Sequence, residues 1–280
     1  MLNIIKSDIY RLFKGKCVFI VTLIIMILAG VSVATMSAGH FGIAVGSAGQ
    51  MEQMSNPEFV QKMNDAKTLK DFREVMHELG SDKLDRDIIA QNINLYYFLI
   101  AFVVVIITRD FSNKSVKNTL SSAVSRREYY TSKLLLLLGV TTVLVLFNNY
   151  FNYFLNLIVN KKEMASSIGY ITKITLYQMP LIYGMAMMLV CIAFAVRKTS
   201  IFNTISIPFI MVIQVIMMIV FAIIRETPEW YTKFEVQNAL ANLANDPSSK
   251  YIVECGLLGI IYIVIFGCVG YYIFSKAEIK

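Results

Sequence analysis

An all-α integral membrane protein with six transmembrane helices is the fold that three features of this sequence predict. First, the apolar residues come in long uninterrupted blocks: 56 % of the chain is hydrophobic against 16 % charged, and mean hydropathy is +0.60. Second, nothing alternates with a period of two in blocks of about ten, so a barrel is not expected and the backbone must satisfy itself in helices. Third, the charges are sided. Six spans put both termini on one side, and that side carries fourteen Lys and Arg against four acids (Asp8, Asp110, Glu128 and Glu278), net +10, against −3 on the other. The positive-inside bias makes the basic side cytoplasmic, although Lys161 and Lys162 on a short outer loop run against it.

Residues 1–16 open the single membrane domain, which runs over 1–280. Leu2, Ile5, Ile9, Leu12 and Phe13 fall on one helical face and Lys6, Asp8, Arg11 and Lys14 mostly on the other, the pattern of an interfacial helix. The first span follows at 17–36. A secretory signal with a small-residue site near Ala34 to Ala38 is the competing reading, but the apolar run exceeds the usual h-region of about 7–15 residues, which favours an uncleaved anchor.

The segment 37–87 is placed outside and starts with the small-residue run SAGHFGIAVGSAG. Asn56-Pro57-Glu58 then reads as an N-cap, a proline at the first helical position and an early acid. Phe59, Met63, Leu69, Phe72, Met76 and Leu79 follow at helical spacing until Gly80. A helical hairpin or cap is expected, either as a lid that meets a substrate or as packing for the first two spans.

After the second span, 88–108, comes a basic insert at 109–133, RDFSNKSVKNTLSSAVSRREYYTSK, with six Lys or Arg against two acids. Val116, Leu120, Ala123 and Val124 recur at helical spacing while Lys114, Lys117, Asn118 and Ser121 fall elsewhere, so an amphipathic helix is expected from about Asn113 to Val124. Ser125 and Glu128 form a capping-box pattern that starts a second helix, running into the third span at 134–159.

Within the third span, LFNNYFNYFLN sets Asn149, Asn152 and Asn156 on one face with Asn148 beside them. Amides are costly in lipid and should face protein or water, as a translocation path or as interhelical hydrogen bonds. The fourth and fifth spans, 174–196 and 201–224, each hold one proline, Pro180 and Pro208, and are joined by a tight hairpin at Arg197 to Ser200. Gln214, among Met211, Met217 and Met218, fits an adaptable path or plain packing. The segment 225–254 returns outside with Trp230 and Tyr231 suited to an interface and a helix-like EVQNALANLA. The last span is 255–274, and Lys173 and Glu254 at outer span ends can snorkel.

Several function classes lack their residues. Cys17, Cys191, Cys255 and Cys268 include no close pair, which argues against a disulfide framework or zinc site. His40 and His77 lie in the outer segment without the H-E-x-x-H or nucleophile constellations of intramembrane proteases. No G-x-x-x-x-G-K-[ST] occurs, so no P-loop of this chain binds ATP. No catalytic, cofactor-binding or metal-binding residue is expected, and the pI near 9.1 is assigned to orientation and anionic membrane lipid rather than nucleic acid.

The run KNTLSSAVSRREYYTSKLL resembles the cytoplasmic loop of ATP-binding-cassette (ABC) type-2 transporter permeases, in which a basic, Ser-rich stretch after the second span forms the coupling helix that docks on an ATPase subunit. Beyond this loop the likeness rests on layout. The resemblance implies a multi-pass subunit of the bacterial plasma membrane, an N-terminal elbow helix on the inner leaflet and short re-entrant helices ahead of the last span. It also implies two copies of a separate ATPase carrying ATP and Mg, and a second permease chain in a homodimer or heterodimer. On this reading Lys114, Lys117, Asn118, Leu120, Val124 and Arg126 form the ATPase contact, and Asn149, Asn152, Asn156 and Gln214 line the translocation path. Hydrophobic or amphipathic cargo is expected, as in the permeases of bacteriocin and lantibiotic export or immunity, with drugs, lipids or glycan carriers as the other cargo classes. The competing functions are an ion-coupled secondary transporter, which would show inverted repeats and mid-span ionisable residues, and a non-transporting scaffold or receptor subunit.

Overall fold

The computed structural model describes residues 2–37, 61–62, 65, 84–121, 124–160, 165–224, 227–245 and 247–277. Helix is the regular structure throughout these residues, and six helices are long and apolar enough to cross a membrane. The chain is a multi-pass membrane protein. Of the expected hairpin from Asn56 to Gly80 only residues 61–62 and 65, all helical, are described, and both histidines, Lys161 and Lys162 lie outside the described residues.

In chain order, α1 is Leu2–Lys14 and α2, the first span, is Cys17–Ser37. The second span is built in pieces. α3 at Leu84–Ala90 leads into it, and the span itself, Asn92–Ser112, has a 3-10 turn at Asn92–Asn94, α4 at Leu95–Val103, a π-wound turn at Val104–Thr108, and α5 at Arg109–Ser112. Next come α6, Ser115–Ser121, and α7, Arg126–Asn160. The fourth and fifth spans are α8, Ile168–Val196, and α9, Thr199–Ile224. Two short helices, α10 at Glu229–Phe234 and α11 at Val236–Leu243, precede the last span α12 at Ser249–Lys276.

Two expectations change in detail. The amphipathic helix expected to reach Val124 is described over Ser115–Ser121 and does not include Val124, which like Ser125 is not helical. The Ser125 cap sets the next start instead, so α7 runs for 35 residues. At 1.5 Å per residue that is roughly 50 Å, well beyond a hydrocarbon core of about 30 Å, so α7 extends past the bilayer.

The centre of the bundle is α8, whose Leu181, Ile182, Ala186, Leu189, Val190 and Phe194 are fully buried. Its tightest neighbour is α12, and small residues make that approach possible. A Cβ on Gly259 would fall 2.4 Å from the Pro180 carbonyl carbon, and one on Gly184 2.9 Å from the Tyr262 Cβ. By contrast α9 is largely uncovered, with Met211, Ile216, Met218 and Ile223 all exposed along it.

At one end, hereafter the basic end, the helix joints share a device. Lys16 between α1 and α2, Lys114 between α5 and α6, and Arg197 between α8 and α9 all adopt left-handed backbone, with φ of 57°, 56° and 59°. Each ends one helix and redirects the chain into the next. An aromatic cluster fills the space between: Phe194 lies 4.8 Å from Tyr130 and 4.9 Å from Phe274, and Phe111 packs edge-on to Phe194 at 5.7 Å.

Candidate functional site

The basic end is organised around four charges from three elements, with Asp8, Asp110 and Lys133 buried and Arg11 half-buried. Asp8 and Arg11 lie one turn apart on α1, Asp110 is on α5, and Lys133 is two turns into α7. The Lys133 ammonium donates to Asp8 Oδ2 and to Asp110 Oδ2, each at 2.6 Å, with its side chain only 1 % exposed. Arg11 forks between the other oxygens of the same two carboxylates. Tyr129 donates to Asp110 Oδ2 at 2.8 Å, and its ring lies 5.0 Å from the Lys133 ammonium. Two acids and two bases leave the set neutral, and every carboxylate oxygen has a charged donor, the condition under which buried ions are tolerated.

Burial works to lower the Arg11 pKa, but hydrogen bonds and charge from Asp110 and Asp8 outweigh it, and the guanidinium is held above its ordinary value. The polar residues of α1 therefore divide. Lys6 and Lys14 are exposed as expected, while Asp8, expected on the same solvent face, is buried against α7 and α5.

From this cluster the connection continues into α6. Ser115 Oγ donates to Asp110 Oδ1 at 3.1 Å and to the Asp110 carbonyl at 3.2 Å, and Val116 is buried in the main core. The opposite side of α6 is open: Lys114, Lys117 and Asn118 are exposed, and Leu120 and Val124 are half-buried against the core edge. Arg126 is differently placed. Its guanidinium donates to the carbonyls of Phe274, Ser275 and Ala277 at 3.2, 2.7 and 2.8 Å, so it closes the C-terminus of α12. The cap of α7 is reciprocal: the Glu128 N–H donates to Ser125 Oγ and the Ser125 N–H to Glu128 Oε2, both at 3.1 Å.

At the far end the asparagines of α7 meet other helices. Asn148 donates to Asn92 Oδ1 at 3.0 Å, Asn92 donates to Gln178 Oε1 at 2.7 Å, and Asn149 donates to Thr175 Oγ1 at 3.0 Å. Gln178 then ties in backbone, donating to the carbonyls of Leu240 at 2.8 Å and Ile89 at 3.3 Å. Asn149, Asn152 and Asn156 are all buried, and this network bonds α7 to α8, α11 and the broken start of the second span. Gln214 is not brought to it. On α9, it donates to Gln237 of α11.

Gln178 and Asn92 were not picked out as partners by sequence reasoning, nor was the Asp8, Arg11, Asp110 and Lys133 set. A signal existed for the second: Asp110 and Lys133 are ionisable residues at or just inside the ends of apolar runs, where a countercharge is the ordinary explanation. No family model matches this chain, and no curated protein matches it.

Proposed function

We propose that this chain is the membrane-spanning permease subunit of an ABC type-2 exporter, with its basic end in the cytoplasm and α6 as the coupling helix for a separate ATPase. The observation that carries the reading is the joint under α6. Lys114 of the preceding joint and Lys117 and Asn118 of α6 are presented outward while Ser115 and Val116 seat the helix on a charge cluster shared by α1, α5 and α7. Force applied to α6 is thereby delivered to three elements at once, because a neutral cluster in which every carboxylate oxygen has a charged donor moves as a unit rather than opening unpaired charges.

In this scheme α1 is the elbow on the inner leaflet, and α10 and α11 are the short helices ahead of the last span. ATP and Mg reside on two ATPase subunits, and a second permease chain completes the transporter. Leu120 and Val124 supply the apolar part of the contact and Lys114, Lys117 and Asn118 its polar rim; Arg126 contributes by holding α12 to the base of α7. Cargo is hydrophobic or amphipathic, with bacteriocin-type peptide export or immunity as the leading class.

The test is co-expression with a P-loop ATPase encoded beside this chain, followed by purification and ATP hydrolysis in nanodiscs. A stable complex is expected whose ATPase subunit is lost on combining Leu120→Asp and Val124→Asp. Proton- or sodium-driven flux by the chain alone would overturn the reading, as would labelling of a cysteine at Lys117 from the external medium.

A further inference from the structure

Beneath α1 lies an open groove of about 500 Å³, walled by Ile5 and Ile9 of α1, Val18 of α2, and Leu136, Gly139 and Val143 of α7. Its lining is apolar apart from the Thr22 hydroxyl, and its volume is that of a site for a small ligand. The protein leaves this space unfilled. A Cβ placed on Gly139 would meet no atom within 4 Å, in contrast to Gly184 and Gly259, whose missing side chains are occupied by neighbouring helices.

Charge identifies what enters. The two acids on the groove's inner side, Asp8 and Asp110, are both engaged with Arg11 and Lys133, and Glu128 is turned to the Ser125 cap. Lys6, Lys14, Lys16 and Arg127 are left exposed around the same end with no ion pair to any described residue. Lys6, one of the polar residues of α1, lies by helical angle at the edge of its apolar face beside Ile9 and Phe13, three and seven positions on, and Arg127 lies about two turns below Leu135 on α7.

We infer that the groove holds one acyl chain of an anionic phospholipid, whose headgroup is met by Lys6 and Arg127. Anionic headgroups gain about 1 kcal/mol per nearby base, while the chain replaces contacts that no side chain makes. Bound there, the lipid wedges α1 against α2 and α7 directly above the charge cluster. The inference uses the orientation proposed above only to place the groove in the inner leaflet.

Native mass spectrometry of the detergent-purified chain, titrated with phosphatidylglycerol and with phosphatidylcholine, tests it. Phosphatidylglycerol is expected to bind about thirtyfold more tightly, and Lys6→Gln with Arg127→Gln to bring the two lipids level. Gly139→Leu should weaken phosphatidylglycerol by about tenfold while leaving thermal stability unchanged or raised, since its Cβ meets no protein atom within 4 Å and a leucine in a helix interior is favoured over glycine. Val143→Trp, at an exposed wall position, is the second block should Gly139→Leu fold poorly. Equal binding of the two lipids, or undiminished phosphatidylglycerol binding in a folded blocking variant, would overturn the site. Lipid selectivity without ATPase docking would keep this site and sink the permease reading, and docking without selectivity would do the reverse.

Discussion

Lys133→Met is the sharpest perturbation of the charge cluster. The substitution keeps an unbranched chain of similar reach but removes the ammonium that lies 2.6 Å from both Asp8 and Asp110. Arg11 is then alone with two carboxylates that are buried to 2 % and 6 % side-chain exposure. Removing one partner of a buried pair costs about 3–5 kcal/mol, because the surviving charge stays desolvated and uncompensated. At about 2–4 °C per kcal/mol for a large domain, the unfolding midpoint should fall by about 10 °C in differential scanning fluorimetry. Adding Asp110→Asn to Lys133→Met restores one acid to one base and should recover about half of that loss, a coupling that independent sites would not show. Arg11→Met should be milder, since its side chain is 34 % exposed and water can replace part of what it gives. A midpoint for Lys133→Met within about 2 °C of wild type, or strict additivity in the double variant, would refute the reasoning that these charges form one neutral unit.

Three further outcomes follow from particular contacts. Gly259→Ala drives a methyl to 2.4 Å from the Pro180 backbone and should destabilise by about 1–3 kcal/mol, while Gly256→Ala on the same helix meets nothing within 4 Å and should be neutral or slightly stabilising. Arg126→Gln removes the guanidinium shared by three carbonyls at the end of α12, so amide exchange in the last turn of that helix should quicken while the α7 start stays protected. Burial pushes the Asp85 carboxyl above its usual 3.8, against the opposing hydrogen bonds from the Ser166 N–H and hydroxyl. The folded state therefore holds this proton more tightly than the unfolded one. Stability should fall as pH rises from about 3.8 through the raised folded value and then level, with Asp85→Asn flatter over the same range in pH-dependent melts.

The six spans were legible because hydrocarbon thickness imposes a minimum run of apolar residues, which composition reveals without any knowledge of contacts. The Ser125 and Glu128 cap was legible for a similar reason: it joins residues three apart, and local spacing contains the whole interaction. The charge cluster was hidden because its members are separated by 23 and 125 positions, and periodicity along α1 cannot distinguish a face turned to water from one turned to a countercharge. Helical spacing placed Asn149, Asn152 and Asn156 on one face, but the amides and carbonyls that meet the row's neighbourhood, Gln178, Asn92 and Leu240, belong to other helices. Grouping Gln214 with them followed residue type alone, and its partner proves to be Gln237. The broken winding of the second span had no local signature, since Val104 to Thr108 is as apolar as the α4 run before it.

That widened turn has a mechanical meaning for the acid two residues beyond it, Asp110. A helix advances about 100° per residue, so a single extra residue accommodated in one loose coil resets the azimuth of everything that follows. Asp110 looks inward, toward Lys133, Tyr129 and Arg11, only with that offset in place. Tightening the coil to ordinary pitch would swing the carboxylate about a quarter of a revolution away from its partners. The winding of these five residues thus acts as the compass for the one acid on which α1, α6 and α7 converge.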